Sequence, residues 1–164
     1  MNPGLLAIRK RASAVSSNTW RYWRIYVTAN NGSTYCGVGS TSGKYGFILA
    51  ATAGGATVLT SSMAYTSETA VYGANNFTAA CTQLNGMWLS NGQAGPWSAH
   101  VDLGTAMTLV ECQMYAVDSS TGPVLAPNTF QIQGSSDGVN WNVVKSFSGI
   151  NTWVQGQSLS FSLV

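Results

Sequence analysis

Residues 126–147 read APNTFQIQGSSDGVNWNVVKSF, and this stretch decides the fold class. Thr129, Gln131 and Gln133 alternate with Phe130 and Ile132, the period of two that turns one face of a strand to a core and the other to water. Ser135, Ser136, Asp137 and Gly138 follow with turn chemistry: Ser and Asp side chains bond the backbone just ahead of them, and Gly accepts a positive φ. Trp141, Val143 and Val144 begin a return strand, with Asn140 and Asn142 toward solvent. Pro127 stands before the first strand, where its missing N–H does little harm. The stretch predicts a β-hairpin in which Asp137 is the turn residue that fixes register and Trp141 is delivered to the core.

The same grammar extends outward. Residues 20–28, WRYWRIYVT, alternate Tyr22, Arg24, Tyr26 and Thr28 with Trp23, Ile25 and Val27. Both faces are bulky, which predicts a strand that is central or covered on both sides. A turn follows at Asn30-Asn31-Gly32-Ser33, then a short apolar piece at 35–38 and a loop at 39–43. Strands are expected over 47–53 and 56–61, joined by a tight turn at Gly54-Gly55. Thr66, Ser67 and Glu68 read as the opening of a short helical turn through Ala70 and Val71, and 72–81 as irregular chain. Residues 87–90 precede the turn-forming loop 91–96, residues 97–103 alternate, and Gly104-Thr105-Ala106 reads as a further turn. A long strand is expected over 107–117, a loop over 119–127 and a closing strand over 157–164, with the first and last strands in one sheet. Short strands separated by frequent turn signals, with almost no helical periodicity, predict an all-β sandwich or barrel.

At 164 residues the chain has the length of one domain with a substantial core. Only 7% of its residues are charged, against roughly a quarter in an average soluble domain. Such a neutral polar surface suits an extracellular or virion protein. The six Trp and seven Tyr serve β-cores and sugar-stacking surfaces alike. The net charge of +2 is unevenly spread: Arg9, Lys10, Arg11, Arg21 and Arg24 all lie near the start. Beyond Arg24, Lys44 and Lys145 face Glu68, Asp102, Glu111, Asp118 and Asp137, and this mildly acidic body argues against a nucleic-acid groove. The basic start is either a solvated tail or an arm that docks on a partner. Cys36, Cys81 and Cys112 show no CxxC spacing and are expected as reduced, buried thiols that act as small hydrophobes. An odd, unpaired set favours assembly inside a cell. The apolar run 5–8 precedes its charges, the reverse of a signal peptide. No apolar run is long enough to span a membrane as a helix, so no membrane insertion is expected.

Five segments, in order, resemble the discoidin family, the coagulation factor 5/8 C-terminal type within the galactose-binding-like jelly rolls. WRYWRIYVTANNGSTYCGV looks like the opening strand in bacteriophage versions of that domain. YGANNFTAACTQLNGMWLS occupies the place of the family's second segment. PWSAHVDLGTAMTLVECQMYAV is similar to its tryptophan–aspartate-leucine-glycine strand pair, APNTFQIQGSSDGVNWNVVKSFSG to its serine-aspartate-glycine–tryptophan hairpin, and NTWVQGQSLSFSLV to its closing strand. The resemblance implies a jelly-roll β-sandwich over 20–164, and the basic residues ahead of it read as an arm over 1–19. Members that hold structural calcium usually carry Asp-Gly-Asn in the second segment. Here the run is Asn76-Phe77-Thr78-Ala79-Ala80, so no cofactor is expected, calcium held through backbone oxygens being the alternative left open. The disulfide of extracellular animal members also has no counterpart, which points to a microbial or viral version.

Catalytic chemistry finds little footing. His100 is the single histidine, and Ser98, His100 and Asp102 share one strand, whereas a triad needs side chains converging from separate elements. Histidine–cysteine metal sites need several convergent ligands, glycoside hydrolysis needs two facing acids, and no phosphate-binding glycine loop precedes a helix. A non-enzyme is expected. In a jelly roll, ligands meet the loops at one end, here 39–45, 85–97 and 119–126. Tyr45, Trp88 and Trp97 are the stacking candidates, with Asn85, Asn91 and Gln93 as hydroxyl partners; the resemblance places Trp88 and Trp97 near strand ends, where each reads as core more readily than as a stacking platform, and Asn-rich loops are also good turns. The leading expectation is a bacteriophage virion structural protein for decoration or adhesion. Arg9, Lys10 and Arg11 would anchor it to other virion proteins, a cell-surface glycan would be its ligand, and self-association is expected. The alternative is a carbohydrate-binding module of a secreted bacterial protein, which a linker and catalytic domain should accompany.

Overall fold

The alternation of Trp23, Ile25 and Val27 with Arg24, Tyr26 and Thr28 becomes strand β1 (Thr19–Asn30). The structure is a computed structural model that describes residues 18–40, 42–51, 64–68, 71–74 and 76–164, with residues 64–68 described by backbone only. The remaining elements are β2 (Gly37–Gly39), β3 (Phe47–Ala50), β4 (Ala64–Glu68), α1 (Phe77–Thr82), β5 (Met87–Leu89) and β6 (Trp97–Thr108). After them come β7 (Glu111–Tyr115), α2 (Gly122–Leu125), β8 (Pro127–Ser135), β9 (Asn142–Phe147) and β10 (Ser158–Ser162). One sheet runs β4-β6-β1-β8-β9 and a second β10-β7-β3, while β2 and β5 form a two-stranded ribbon. Every pairing is antiparallel. As its doubly bulky sequence predicts, β1 is the central strand of the larger sheet, with Ile25 opposite Ala99 on one side and Ile132 on the other.

The inward residues of both sheets share one core. Trp23, Ile25, Val27, Ala99, Val101, Phe130 and Ile132 from the larger sheet bury with Phe47, Leu49, Cys112, Met114 and Phe161 from the smaller. Phe130 and Phe161 meet edge to face across the two sheets, with ring centroids 5.0 Å apart. This arrangement is consistent with an all-β sandwich, built because each sheet has one apolar face that another layer must cover. Cys36, Cys81 and Cys112 are buried within it and none is bridged. Burial in apolar surroundings pushes the Cys36 and Cys112 thiols well above their ordinary range.

The hairpin forms where expected, and its turn is held by the expected residues. Asp137 accepts hydrogen bonds from Val139 N at 2.9 Å and from Asn140 N and Nδ2 at 2.8 and 2.7 Å. Ser135 Oγ donates to Asp137 Oδ1 at 2.8 Å and accepts from Gly138 N at 2.9 Å. Gly138 sits at φ 74°, the left-handed conformation that favours glycine. The fate of Trp141 differs from expectation: it is half-buried on the outer face of the sheet. The register shifts between the Ile132–Lys145 and Gln133–Val143 pairs, and a one-residue shift moves the following side chains to the opposite face. Trp141 and Val143 therefore share the side of Gln133.

Other departures follow from pairing that a local pattern does not contain. The Gly104-Thr105-Ala106 run is exposed but lies inside β6, where the register jumps from Trp20–Met107 to Tyr22–Asp102. It is an irregularity within one strand, and the long strand expected over 107–117 is divided at Leu109 and Val110. The helical opening expected at 66–71 is instead β4 for residues 64–68, recruited to the free edge of β6. The stretch expected to be irregular contains α1, whose N-cap is Asn76: its Oδ1 accepts from Ala79 N at 2.8 Å. The first and last strands belong to different sheets, although Asn18 Nδ2 donates to Leu163 O at 3.4 Å and brings those ends together. The strand expected over 56–61 and the Gly54-Gly55 turn lie outside the described residues, as do Arg9, Lys10 and Arg11.

Candidate functional site

Three connections between strands meet around an open cleft of about 380 Å³. The first is the 30–35 turn, knotted by Asn30. Its Nδ2 donates to Ser33 O and Tyr35 O at 2.8 and 2.5 Å, while its Oδ1 accepts from Gly32 N at 3.1 Å. Ser90 then clamps the exit of the turn: Cys36 N donates to Ser90 Oγ and Ser90 N to Cys36 O, each at 2.8 Å. Ser90 is fully buried, and its hydroxyl meets a backbone N–H that water cannot reach. The second connection brings Tyr72, whose N donates to Leu89 O at 2.9 Å. The third is α2, tied to the first by Asn31 Nδ2 donating to Ala126 O at 2.9 Å and Asn128 Nδ2 donating to Asn31 Oδ1 at 3.0 Å.

The result is a pair of phenol rings beside an aliphatic wall. The Tyr35 and Tyr72 rings stand 6.0 Å apart and nearly perpendicular. Tyr72 is 54% exposed, so much of its ring is open to solvent. Leu89, Val124 and Leu125 supply apolar surface, and Ser33 and Thr121 bring hydroxyls. Among the described residues, no charged side chain lines the cleft. Aromatic faces with neutral hydroxyls and no net charge suit a ligand with one apolar face and a rim of hydroxyls, and the volume lies in the range of small-molecule sites.

Two of the three loops expected to bind contribute here: 85–97 through Leu89, and 119–126 through Thr121, Val124 and Leu125. The individual residues expected from sequence fall elsewhere. Trp88 is fully buried and Trp97 is 5% exposed. Trp88 packs edge to face on Phe77 at 5.6 Å, and Trp97 Nε1 donates to Gln93 O at 2.8 Å. Both indoles are core residues, and neither offers a ring face for a sugar to stack on. Tyr45 is half-buried and outside the cleft lining; Asn85 is spent on the neighbouring 39–45 loop, with Oδ1 accepting from Gly43 N at 2.6 Å. Asn91 and Gln93 are exposed, and the turn between them reaches the cleft, because a Cβ at Gly92 would stand 3.1 Å from Tyr35 Cζ. Tyr35 and Tyr72 escaped sequence reading. Their signal is a tyrosine close to turn residues, two positions after Gly32-Ser33 and directly before Gly73-Ala74, with no strand alternation to bury it.

Asp102, weighed with Ser98 and His100 as a catalytic set, is held by Arg21, whose Nε and Nη2 reach its two oxygens at 2.8 and 2.7 Å. That guanidinium, with Gly104 N, holds the Asp102 carboxyl below the usual range. Asn76 to Ala80, the run aligned with a calcium segment, forms the N-cap and first turn of α1. Among the described residues, no three His, Cys, Asp or Glu side chains gather as a metal site, and no helix is long and apolar enough to cross a membrane. Compared with protein-family models, curated proteins and solved structures, the chain matches none.

Proposed function

We propose that this chain is a non-enzymatic structural module of a bacteriophage virion, a discoidin-like jelly roll that decorates capsid or tail and adheres to host-surface carbohydrate. The observation that carries the adhesion reading is the neutral Tyr35–Tyr72 cleft, open to solvent beside turns that hydrogen bonds hold in place. A pyranose has an apolar C–H face for a phenol ring and hydroxyls for Ser33, Thr121 and the phenols themselves. The virion reading is supported by the phage-like opening strand, the low charge and three buried, unbridged cysteines, which suit assembly in a reducing cytoplasm. In this reading Arg9, Lys10 and Arg11 attach the module to other virion proteins, and several copies assemble together.

A glycan array tests the adhesion. The protein is expected to bind a neutral glycan, and Tyr72→Ala to weaken that binding about tenfold with an unchanged melting midpoint, since the ring is largely exposed. Absence of any neutral-glycan binding, or full binding by Tyr72→Ala, overturns the cleft as a sugar site. A carbohydrate-binding module of a secreted bacterial protein would use the same cleft. Mass spectrometry of purified phage particles decides between the two, since a virion module must be present in them.

A further inference from the structure

The outer face of the five-stranded sheet carries a cation that the cleft does not use. Arg24 on β1 has His100 of β6 and Gln133 of β8 as its register partners. Gln133 Oε1 accepts hydrogen bonds from Arg24 Nε, at 2.8 Å, and from Nη2. Gln133 Nε2 in turn donates to Gln131 Oε1 at 2.6 Å, which sets the amide's orientation and so fixes the guanidinium. Arg24 Cζ lies 4.3 Å from the Trp141 ring centroid and 5.2 Å from that of Tyr26. The His100 ring packs on Trp141 at 5.0 Å.

The cation is thus oriented, partly stripped of water and flanked by rings. Among the described residues, no carboxylate forms an ion pair with it. A guanidinium has five N–H donors, and Gln133 takes two from one edge. The far edge keeps one N–H on each terminal nitrogen, the parallel fork that a carboxylate fits with two hydrogen bonds.

We propose that Arg24 is the centre of a second subsite that binds the carboxylate of an acidic sugar, with Trp141 and Tyr26 bordering the sugar ring. The rings favour a sugar acid over an acidic peptide side chain, because a pyranose can lay its C–H face beside them while its carboxylate meets the fork. This assignment rests on the glycan-adhesion reading but uses different residues, so the two fail separately.

Ligand-observed NMR titrations with glucuronate, glucose and a short polyglutamate peptide test it, on the whole chain and on Arg24→Lys and Tyr72→Ala. Arg24→Lys keeps the charge and loses the planar fork. Glucuronate is expected to bind the parent more tightly than glucose does, to weaken about tenfold in Arg24→Lys, and to be unaffected by Tyr72→Ala. Weakening with added salt should accompany it. Equal glucuronate binding by parent and Arg24→Lys, with melting midpoints unchanged, overturns the proposal, as does no glucuronate binding at all. Tighter, Arg24-dependent binding of polyglutamate overturns it in favour of a protein partner. Arg24-dependent glucuronate binding without neutral-sugar binding keeps this subsite and removes the cleft.

Discussion

His100 is the chain's one histidine, half-buried on the outer sheet face across from Arg24. Burial first, and the Arg24 charge second, push its pKa below the ordinary 6.5. The unfolded chain therefore binds this proton more readily than the native state does, and native stability should fall as pH drops through about 6.5, levelling off below the folded value. Urea unfolding at about pH 7 and about pH 5.5 should show the decline, and His100→Asn should flatten it; an unchanged slope in the variant would assign the effect elsewhere. Asp137 carries the opposite sign. Its hydrogen bonds to Asn140, Val139 and Ser135 hold the carboxyl far below the ordinary 3.8, so its contribution persists above that value and is lost only in strong acid. The turn role of Asp137 was legible because Ser-Ser-Asp-Gly chemistry is local. The outward position of Trp141 was not, because it depends on a register shift set by pairing with β8.

At the scale of elements, β5 shows how a three-residue strand is held. It pairs with β2 through Val38 opposite Trp88, and Trp88 in turn packs on Phe77 of α1, which packs on Phe47 of β3 at 4.9 Å. Trp88 is thus a keystone for ribbon, helix and the smaller sheet at once. Trp88→Ala should cost about 3–5 kcal/mol in denaturant unfolding, the usual range for a buried large aromatic, and a cost under about 1 kcal/mol would contradict its place in the core. The same logic divides the elements by legibility. β1 and the β8–β9 hairpin carry strong alternation and were readable. Strand β4 exists because β6 offers a free edge, and α1 is a six-residue helix whose one cue was the Asn76 cap. A helix so short is unstable alone and takes its support from the core it covers.

For the whole molecule, the basic residues at the start and the sandwich divide the proposed work: attachment by one, display by the other. Deleting residues 2–17 should leave the melting midpoint of the sandwich within a few degrees, because its described strands begin at Thr19, while abolishing co-sedimentation with phage particles. Undiminished co-sedimentation would remove the arm as anchor. The sequence by itself determined the all-β class, the central first strand, the turn at Asp137 and three buried thiols, all of which follow from periodicity, turn chemistry or composition over a few neighbouring residues. Tertiary structure decided which strands share a sheet, sent Trp88 and Trp97 inward and Trp141 outward, and set Tyr35 against Tyr72 from turns 37 positions apart. These outcomes depend on register and on the meeting of distant segments, and alternation along a strand cannot encode which face another strand will cover.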